Sequence, residues 1–315
     1  MDNSHTGLVL KSTGTWYEVL LPDGKIVNCR LRGQFRIKGI KNTNPVVVGD
    51  SVSFDLFEDN TGYITKIEPR FNYIDRKSTK LSKINHLIAA NIDLAILVVT
   101  LKEPRTSLGF IDRFLIACES FRIPVCLVFN KIDLYQEQEL EVVRHISAMY
   151  CAISYSTLFT SVMTGEGIDL LKDQTTHKKV LLSGHSGVGK SALLNTMYPD
   201  LQLKIGEISQ YHKKGTHTTT FVQMHQIAVD TFVIDSPGIK EFGLIQYSKE
   251  EIRDYFPEIR VYNNHCKYNN CLHVHEPGCA VIEALKEEKI ALSRYQNYLA
   301  ILQDEDMAIE DWQLN

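Results

Sequence analysis

Short apolar runs separated by Gly, Asp and Pro begin the chain. The stretches GLVLKSTGTWYEVLL, KIVNCRLRG, DSVSFDLF and GYITKIEP alternate apolar and polar positions over much of their length. Such alternation is typical of β-strands that bury one face. About five short strands within roughly seventy residues predict a small barrel, and the OB-fold is the commonest barrel of that size. We therefore assign residues 1–70 to an OB-fold domain.

The pattern changes at NIDLAILVVT. Five short apolar runs follow, namely DLAILVVT, PVCLVFN, TLFTSV, KKVLLSG and DTFVIDSPG, with helix-like stretches such as GFIDRFLIACESF and QEQELEVVRHISAMY between several of them. Alternating strands and helices predict a parallel sheet covered on both faces. Ligands of such sheets bind at the carboxyl ends of the strands. We assign residues 71–243 to this α/β domain.

The last part of the chain is polar and helical in pattern. YSKEEIRDYF opens with a capping box from Ser248 to Glu251, and CAVIEALKEEKIALSRYQNYLAILQ predicts one or two amphipathic helices. A Cys/His-rich loop lies between these stretches. We assign residues 244–315 to a mostly helical third domain.

Composition narrows the class of protein. The 315 residues are 44% hydrophobic and 23% charged, with a net charge of −4 and no leader-like or membrane-spanning apolar run. We expect a cytosolic globular protein whose binding to nucleic acid, if any, is local. Four scattered cysteines, Cys29, Cys118, Cys126 and Cys151, are expected to be reduced and largely buried.

A phosphate-binding motif follows the apolar run KKVLLS. Gly184 to Ser191 fits G-x-x-x-x-G-K-[ST] between a predicted strand and the predicted helix KSALLNTM. The loop amides and the helix N-terminus would hold the phosphates, Lys190 would neutralise them, and Ser191 would bind Mg²⁺. The predicted nucleotide contacts here are Gly184, His185, Ser186, Gly187, Val188, Gly189, Lys190, Ser191 and Ala192.

A guanine-reading motif follows the run PVCLVF. Asn130, Lys131 and Asp133 form NKxD, in which the aspartate can accept hydrogen bonds from guanine N1–H and the 2-amino group. Farther on, Ser161 and Val162 belong to a loop that would present backbone amides to guanine O6. The more usual sequence there is Ser-Ala-Lys, so this departure puts the packing of the loop in question.

Two further motifs are typical of GTPase switches. DSPG places Asp235 near Mg²⁺ through a metal-bound water and Gly238 near the γ-phosphate. In HKKGTHTTTF, Thr218 or Thr219 would supply a second Mg²⁺ ligand, and His217 would reach the attacking water. Ile239 stands where many GTPases have a glutamine that orients water, so slow intrinsic turnover is expected.

The order of these motifs is NKxD, guanine loop, P-loop, Thr-rich loop and DxPG. Most GTP-binding proteins place the P-loop first, so this order predicts a circular permutation of the domain. The permutation leads the DxPG segment almost directly into the third domain, which would couple that domain to the nucleotide state.

The Cys/His-rich loop has the spacing of a metal site. Cys266, Cys271, His273 and Cys279 offer three thiolates and one imidazole, a closed set suited to structural zinc. His265 and His275 compete for the nitrogen position. A catalytic zinc would need an open position, which this set does not leave.

Basic residues cluster in the predicted barrel. Five of them occur without an intervening acid: Arg30, Arg32, Arg36, Lys38 and Lys41. A solvated barrel face and an RNA-contacting surface explain this cluster about equally well.

Taken together, these motifs resemble one family, the circularly permuted, small-ribosomal-subunit-dependent GTPases of bacteria (RsgA/YjeQ). CRLRGQFR, HLIAANIDLAILVVT, GHSGVGKSALLN, GTHTTT, DSPGIKEFGL and CKYNNCLHVHEPGCAV carry the resemblance across nearly the whole chain. It implies GTP hydrolysis stimulated by the small ribosomal subunit, late in subunit maturation, by a monomer. It also implies that the OB-fold, with its basic cluster, and the zinc domain contact ribosomal RNA. Thr216 departs from the basic residue that relatives often carry.

Three other readings compete with this one. A nucleotide-gated RNA-binding module with incidental hydrolysis would carry the same motifs. A P-loop ATPase or kinase is disfavoured by Asp133, and a zinc hydrolase by the number of metal ligands.

Overall fold

In the computed structural model, the described residues are 4–32, 45–58, 60–77, 85–199, 222–235 and 247–303. The chain divides into two compact units, described separately below. The first contains Met1–Ala95, Lys172–Leu182 and Tyr198–Lys240, and the second contains Ile96–Leu171, Ser183–Met197 and Glu241–Asn315. The boundaries of the three predicted domains stay predictions.

The first unit begins with a five-stranded barrel, as predicted. Its strands are β1 (Ser4–Ser12), β2 (Tyr17–Leu20), β3 (Ile26–Leu31), β4 (Ser51–Leu56) and β5 (Thr61–Ile67). They lie in the order β1-β2-β3-β5-β4, and β4 pairs back on β1 to close the barrel. Alternate residues fill the interior, which is built around Val9, Tyr17, Val19, Val27, Cys29, Val46, Val52, Phe54 and Ile64.

In the described part of the first unit, five further strands accompany the barrel. β6 (Tyr73–Lys77) and β7 (Asn85–Ala90) form an antiparallel pair, and β11 (Lys179–Ser183), β12 (Gln223–Ala228) and β13 (Thr231–Asp235) belong to the main sheet. β11 and β13 are parallel, as predicted.

β12 is an addition to the predicted parallel sheet, because the runs from which that sheet is predicted do not include it. This strand is antiparallel to β13 and also pairs with β1 of the barrel at Lys11 and Gln223. Only Val229 and Asp230 separate β12 from β13, and a connection that short permits an antiparallel pair alone.

Strands β8 (Leu94–Val99), β9 (Val125–Asn130) and β10 (Ser156–Thr160) lie side by side in the order β10-β9-β8, with β9 and β10 parallel. Every residue of β8 and β9 is buried, as expected for strands covered on both faces. The accompanying helices are α1 (Leu108–Ser120), α2 (Glu137–Ala152), α3 (Ile168–Thr175) and α4 (Lys190–Met197).

Between residues 247 and 303, the second unit contains four helices: α5 (Lys249–Asp254), α6 (Pro257–Asn263), α7 (Ala280–Lys286) and α8 (Leu292–Gln303). The predicted capping box is confirmed, with Ser248 and Glu251 each accepting a hydrogen bond from the other's backbone N–H. The amphipathic run predicted as one or two helices forms two, α7 and α8. These helices share a core with Ile116 of α1.

A fully buried ionic network joins α8 to α1. The Arg294 guanidinium lies 2.6 Å from Asp112 and 2.6 Å from Glu258, and the side chains of Arg294 and Asp112 are 2% and 0% exposed. Tyr150 and Asn297 donate to the Asp112 carboxylate at 2.7 and 2.5 Å. Burial raises the pKa of Asp112, and Arg294 acts in the opposite direction.

No helix within the described ranges is both long and apolar enough to cross a membrane.

Candidate functional site

The predicted phosphate-binding loop joins β11 to α4, the strand–loop–helix setting that its motif requires. Gly184 and Gly189 have φ values of +137° and +100°, in the region that favours glycine. A Cβ on Gly184 would lie 2.4 Å from the Val98 carbonyl oxygen, and one on Gly189 would lie 2.4 Å from Asn130 Nδ2. Both glycines are therefore required by close approach as well as by conformation.

The Lys190 side chain folds back onto this loop. Its ammonium donates to the carbonyl oxygens of Gly184 and His185 at 2.6 and 2.8 Å. The His185 ring packs against Phe110 of α1, with ring centroids 4.1 Å apart. The cation is thus held at the loop that the motif assigns to phosphate, and α1 supports that loop from one side.

Asn130 connects the two nucleotide motifs. Its Nδ2 donates to the Val188 carbonyl oxygen at 2.8 Å, and its Oδ1 accepts from the Thr160 hydroxyl at 2.9 Å. The side chain is 1% exposed. Asn130 therefore holds the P-loop against the ends of β9 and β10, which is a bracing role.

Asp133 is oriented by the guanine loop. The Ser161 hydroxyl donates to Asp133 Oδ1 at 2.5 Å and accepts from the Thr164 backbone N–H at 3.2 Å. Lys131, beside it in the motif, adopts the left-handed conformation at φ +63° and donates to the Glu103 carbonyl oxygen. The carboxylate that would read guanine is thus fixed by a side chain from the neighbouring strand end.

The departure from Ser-Ala-Lys does not disturb the guanine loop. Met163, which stands in place of the usual lysine, is 82% exposed, so its side chain does not have to be packed against the rest of the loop. Gly167, at φ +71°, packs so closely that a Cβ would lie 1.9 Å from the Phe159 carbonyl oxygen. Val162 lies next to Met163, at the start of the turn that follows β10.

Several predicted site residues fall outside the described part of the chain. They are His217, Thr218, Thr219 and Gly238, together with Arg36, Lys38 and Lys41. Asp235 ends β13, but its side chain also lies outside the described set. Of the predicted Mg²⁺ ligands, Ser191 is placed, in the first turn of α4. Of the basic cluster, Arg30 and Arg32 are placed, and both are exposed.

The predicted metal ligands form one compact group. The ligand atoms of Cys266, Cys271, His273 and Cys279 all lie within 4.8 Å of one another. His273 Nδ1 faces the sulfurs of Cys266 and Cys279 at 3.6 and 3.4 Å. Burial and Arg253 lower the pKa of His273 to about 4, so its ring is neutral, as a ligand must be. The group could hold a metal ion, and His265 and His275 are not part of it.

A second set of groups fixes the metal loop. The Glu276 carboxylate accepts backbone N–H groups from Leu272 and Val274, both at 2.8 Å, and from His275 at 3.1 Å. Burial alone would raise its pKa, but these bonds hold it at about 2. Tyr298 and Tyr295 of α8 donate to the carbonyl oxygens of Leu272 and His273, both at 2.7 Å. The roles of these three residues could not be predicted from the sequence, because their partners are backbone groups.

Comparisons with known proteins agree with this geometry. The RsgA GTPase model matches residues 67–245, and the RsgA N-terminal domain model matches residues 6–64. A relative from Bacteroides fragilis, named small ribosomal subunit biogenesis GTPase RsgA, is 49% identical over 95% of this chain and 97% of its own length. A relative from Bacteroides thetaiotaomicron with the same name, numbered 2, is 50% identical over the same shares of each chain.

Two solved structures share the fold. YjeQ from Thermotoga maritima superposes with a TM-score of 0.77 at 34% identity, covering 96% of this chain and 98% of its own. YloQ, described as a circularly permuted GTPase, superposes with a TM-score of 0.74 at 25% identity, covering 100% and 98%. The permuted motif order read from the sequence is thereby confirmed. With its P-loop, its guanine motif and nearly its whole length matched, the chain belongs to the RsgA GTPase family and is a circularly permuted GTPase.

Proposed function

We propose that this GTPase acts in biogenesis of the small ribosomal subunit and that docking on the RNA of that subunit stimulates its hydrolysis of GTP. The names of its relatives support the first part of the proposal. The exposed arginines of the barrel and the basic run that follows support the second, because clustered cations bind phosphate backbones.

Selection of GTP rests on the bond between Ser161 and Asp133. A carboxylate held at 2.5 Å by a buried hydroxyl presents a fixed acceptor to the N1–H and 2-amino groups of guanine. Adenine has neither donor in that place, so ATP would leave the carboxylate without a partner on the base. Discrimination of this type is strong, since an unsatisfied polar group costs about 1–3 kcal/mol or more.

The phosphates are assigned to the loop from Gly184 to Gly189, with Lys190 as the cation. Ser191, Asp235 and one of Thr218 and Thr219 are the proposed Mg²⁺ ligands, and the metal would neutralise charge that develops on the transferred phosphoryl group. His217 and Gly238 remain the proposed contacts of the attacking water and the γ-phosphate. With Ile239 after the glycine, this chain offers no amide side chain there to orient water.

We further propose that the metal held by the cysteine–histidine group is structural zinc, one per chain. Three thiolates and one imidazole are the ligands zinc prefers, and four protein ligands close its tetrahedral shell. The metal would then fix the loop that packs on α8. We also expect a monomer. We expect it in the cytoplasm, because ribosomal particles are assembled there in bacteria.

GTP turnover by the purified protein tests the proposal, measured alone and with purified small ribosomal subunits, with Lys190→Ala as the control. Strong stimulation that disappears in the control is the expected result. ATP should fail to compete with GTP. Equal turnover with and without subunits would contradict the proposal and favour a nucleotide-gated RNA-binding module instead.

A further inference from the structure

One outer face of the barrel carries aromatic and cationic side chains together. In β3, Val27 and Cys29 point inward and are buried, whereas Asn28 and Arg30 are exposed. Arg30 pairs in register with Tyr63 of β5. Directly opposed residues of neighbouring strands place their side chains on the same face, so Arg30 and Tyr63 are neighbours on the barrel surface.

Two more aromatic rings extend this face. The Arg30 guanidinium carbon lies 3.7 Å from the centre of the Trp16 ring, a stacked cation–π contact. On the other side, the rings of Tyr63 and Phe57 meet edge to face with centres 5.5 Å apart. We call Trp16, Arg30, Tyr63 and Phe57 the aromatic–arginine patch.

The exposure of the patch calls for an explanation. Tyr63 is 39% exposed and Phe57 is 48% exposed, although the barrel interior has its own complete apolar core. Rings that stabilise a fold are ordinarily buried, and large exposed aromatic groups in contact with one another mark interaction sites.

The charge around the patch indicates the kind of partner. One acid lies at the patch: Asp55 is in register with Tyr63 and lies 3.8 Å from Arg32. The run from Arg30 to Lys41 holds five basic residues and no acid, so cations outnumber this carboxylate. An apolar protein surface would gain nothing from this charge, whereas a polyanion would. A planar, stacking-competent arginine among rings favours a partner that is both anionic and aromatic.

We propose that the aromatic–arginine patch is a stacking surface for unpaired nucleotides of RNA. The bases of an A-form duplex are already stacked, so they cannot lie against protein rings, whereas bases of loops and single strands can. The four patch residues lie on or next to the successive strands β2, β3, β5 and β4. Strands of a sheet are spaced by about 4.8 Å, so the patch spans roughly 14 Å, a length that accepts about two or three bases. This inference rests on the proposed RNA binding and names the class of RNA that the barrel takes.

The full-length protein can be tested with a fluorescent oligouridylate of about ten nucleotides and with a duplex of equal length. The single strand should bind more tightly than the duplex. Trp16→Ala and Tyr63→Ala should each weaken binding of the single strand roughly 5- to 150-fold, the usual effect of removing a stacked ring. Tyr63→Phe, which keeps the ring, should bind like the unchanged protein.

Matched controls are available in the same unit. Ile26→Ala removes an aliphatic side chain that is 48% exposed on β3, and Phe71→Ala removes a ring that is 61% exposed outside the patch. Both should leave oligouridylate binding unchanged. A preference for the duplex, or full binding by folded Trp16→Ala and Tyr63→Ala proteins, would overturn the proposal.

A second measurement leaves the patch intact. The chain has two tryptophans, so Trp312→Phe makes Trp16 the single indole fluorophore. Stacking of a base should quench its emission on addition of oligouridylate, and unchanged emission at saturating RNA would contradict the proposal. Stimulation of GTP turnover by small subunits is scored separately, so failure of the proposed function and failure of the patch are distinguishable.

Discussion

The side-chain amide of Asn130 donates to the carbonyl oxygen of Val188 at 2.8 Å, across 58 residues of sequence. The first residue of the guanine motif is thereby bonded to the middle of the phosphate loop. The same amide group accepts from Thr160 at the end of β10. One buried side chain thus sets the relative position of the three segments that would surround the nucleotide, which is why an asparagine suits this position.

Replacement of Asn130 by aspartate should test this brace. Asn130→Asp keeps the size of the side chain but turns the donor into an acceptor facing the Val188 carbonyl oxygen. A lost, unsatisfied buried hydrogen bond costs about 1–3 kcal/mol. We expect lower stability and a clearly raised KM for GTP, measured by denaturant unfolding and by turnover. Unchanged stability and an unchanged KM would mean that the hydrogen bond between Asn130 and Val188 contributes to neither.

The phosphate loop should not tolerate a methyl group at Gly189. The residue has φ +100°, and its Cβ would lie 2.4 Å from Asn130 Nδ2. We expect Gly189→Ala to abolish measurable GTP binding. Gly165→Ala is the matched control: φ there is +80°, but no atom lies within 4 Å of the Cβ, so only backbone strain of about 1–2 kcal/mol should result. Calorimetric titration with a GTP analogue would compare the two variants, and tight binding by Gly189→Ala would contradict the prediction.

Local pattern was sufficient to predict the elements around the site. The apolar run before Gly184 and the helix after Lys190 are where the P-loop spacing places them. The contacts between motifs could not be predicted in this way, because Asn130 and Val188 come together only when the sheet has folded. Arg294 is the clearest example: in the sequence it resembles a charge on the polar face of an amphipathic helix, yet it is 2% exposed. Its burial depends on a carboxylate 182 residues away, which no periodicity reveals.

The buried network should be sensitive to loss of its cation. Arg294→Met leaves Asp112 and Glu258 buried without their partner, which should cost about 3–5 kcal/mol of unfolding free energy. Arg144→Met is the control: its pair with Glu137 has side chains 58% and 71% exposed, so a change within about 0.5 kcal/mol is expected. Chemical denaturation of the two variants against the parent protein would measure both effects.

The loss in Arg294→Met should also depend on pH. Burial already raises the pKa of Asp112 above its ordinary value near 4, and removal of Arg294 takes away an influence that lowers it. A carboxyl with a higher pKa in the folded state is protonated there at a pH at which it is still ionised in the unfolded chain. Lowering the pH through the folded-state pKa therefore favours folding. The variant should therefore recover part of its deficit between pH 7 and pH 5. A deficit that is constant, or that grows on acidification, would show that Asp112 is not the responsible group.

Metal content and stability should change together at the cysteine–histidine group. Cys271→Ser should fail to hold the proposed zinc ion and should have a lower Tm, because Cys271 also belongs to the core of the helices α5–α8. Cys151→Ser, which replaces an exposed thiol outside the group, should retain both. Elemental analysis and thermal unfolding of the purified variants would decide, and a zinc-loaded Cys271→Ser protein would exclude this ligand set.

The Glu276 carboxylate should matter for the same metal without touching it. Glu276→Gln weakens the three bonds that hold the ligand loop, and losses of such supporting groups typically lower metal affinity about 10–100-fold. Glu283→Gln, an exposed carboxylate paired with Lys286, should bind zinc normally. Competition with a zinc-binding dye would give the two affinities. Equal zinc affinities of the two variants would mean that contacts other than those of Glu276 hold the ligand loop in place.

The buried ion pair between Asp112 and Arg294 has a consequence for biosynthesis. The ribosome delivers Asp112 first and must add 182 more residues before its cation is made. At roughly 5–20 residues per second, that interval is about 10–40 s. During that time α1 carries a carboxylate whose charge would be disfavoured in its final, buried environment. The helix therefore cannot pack there as it does in the folded protein, because Arg294 has not yet been made. Completion of the buried packing of α1 therefore has to wait until α8 has left the exit tunnel.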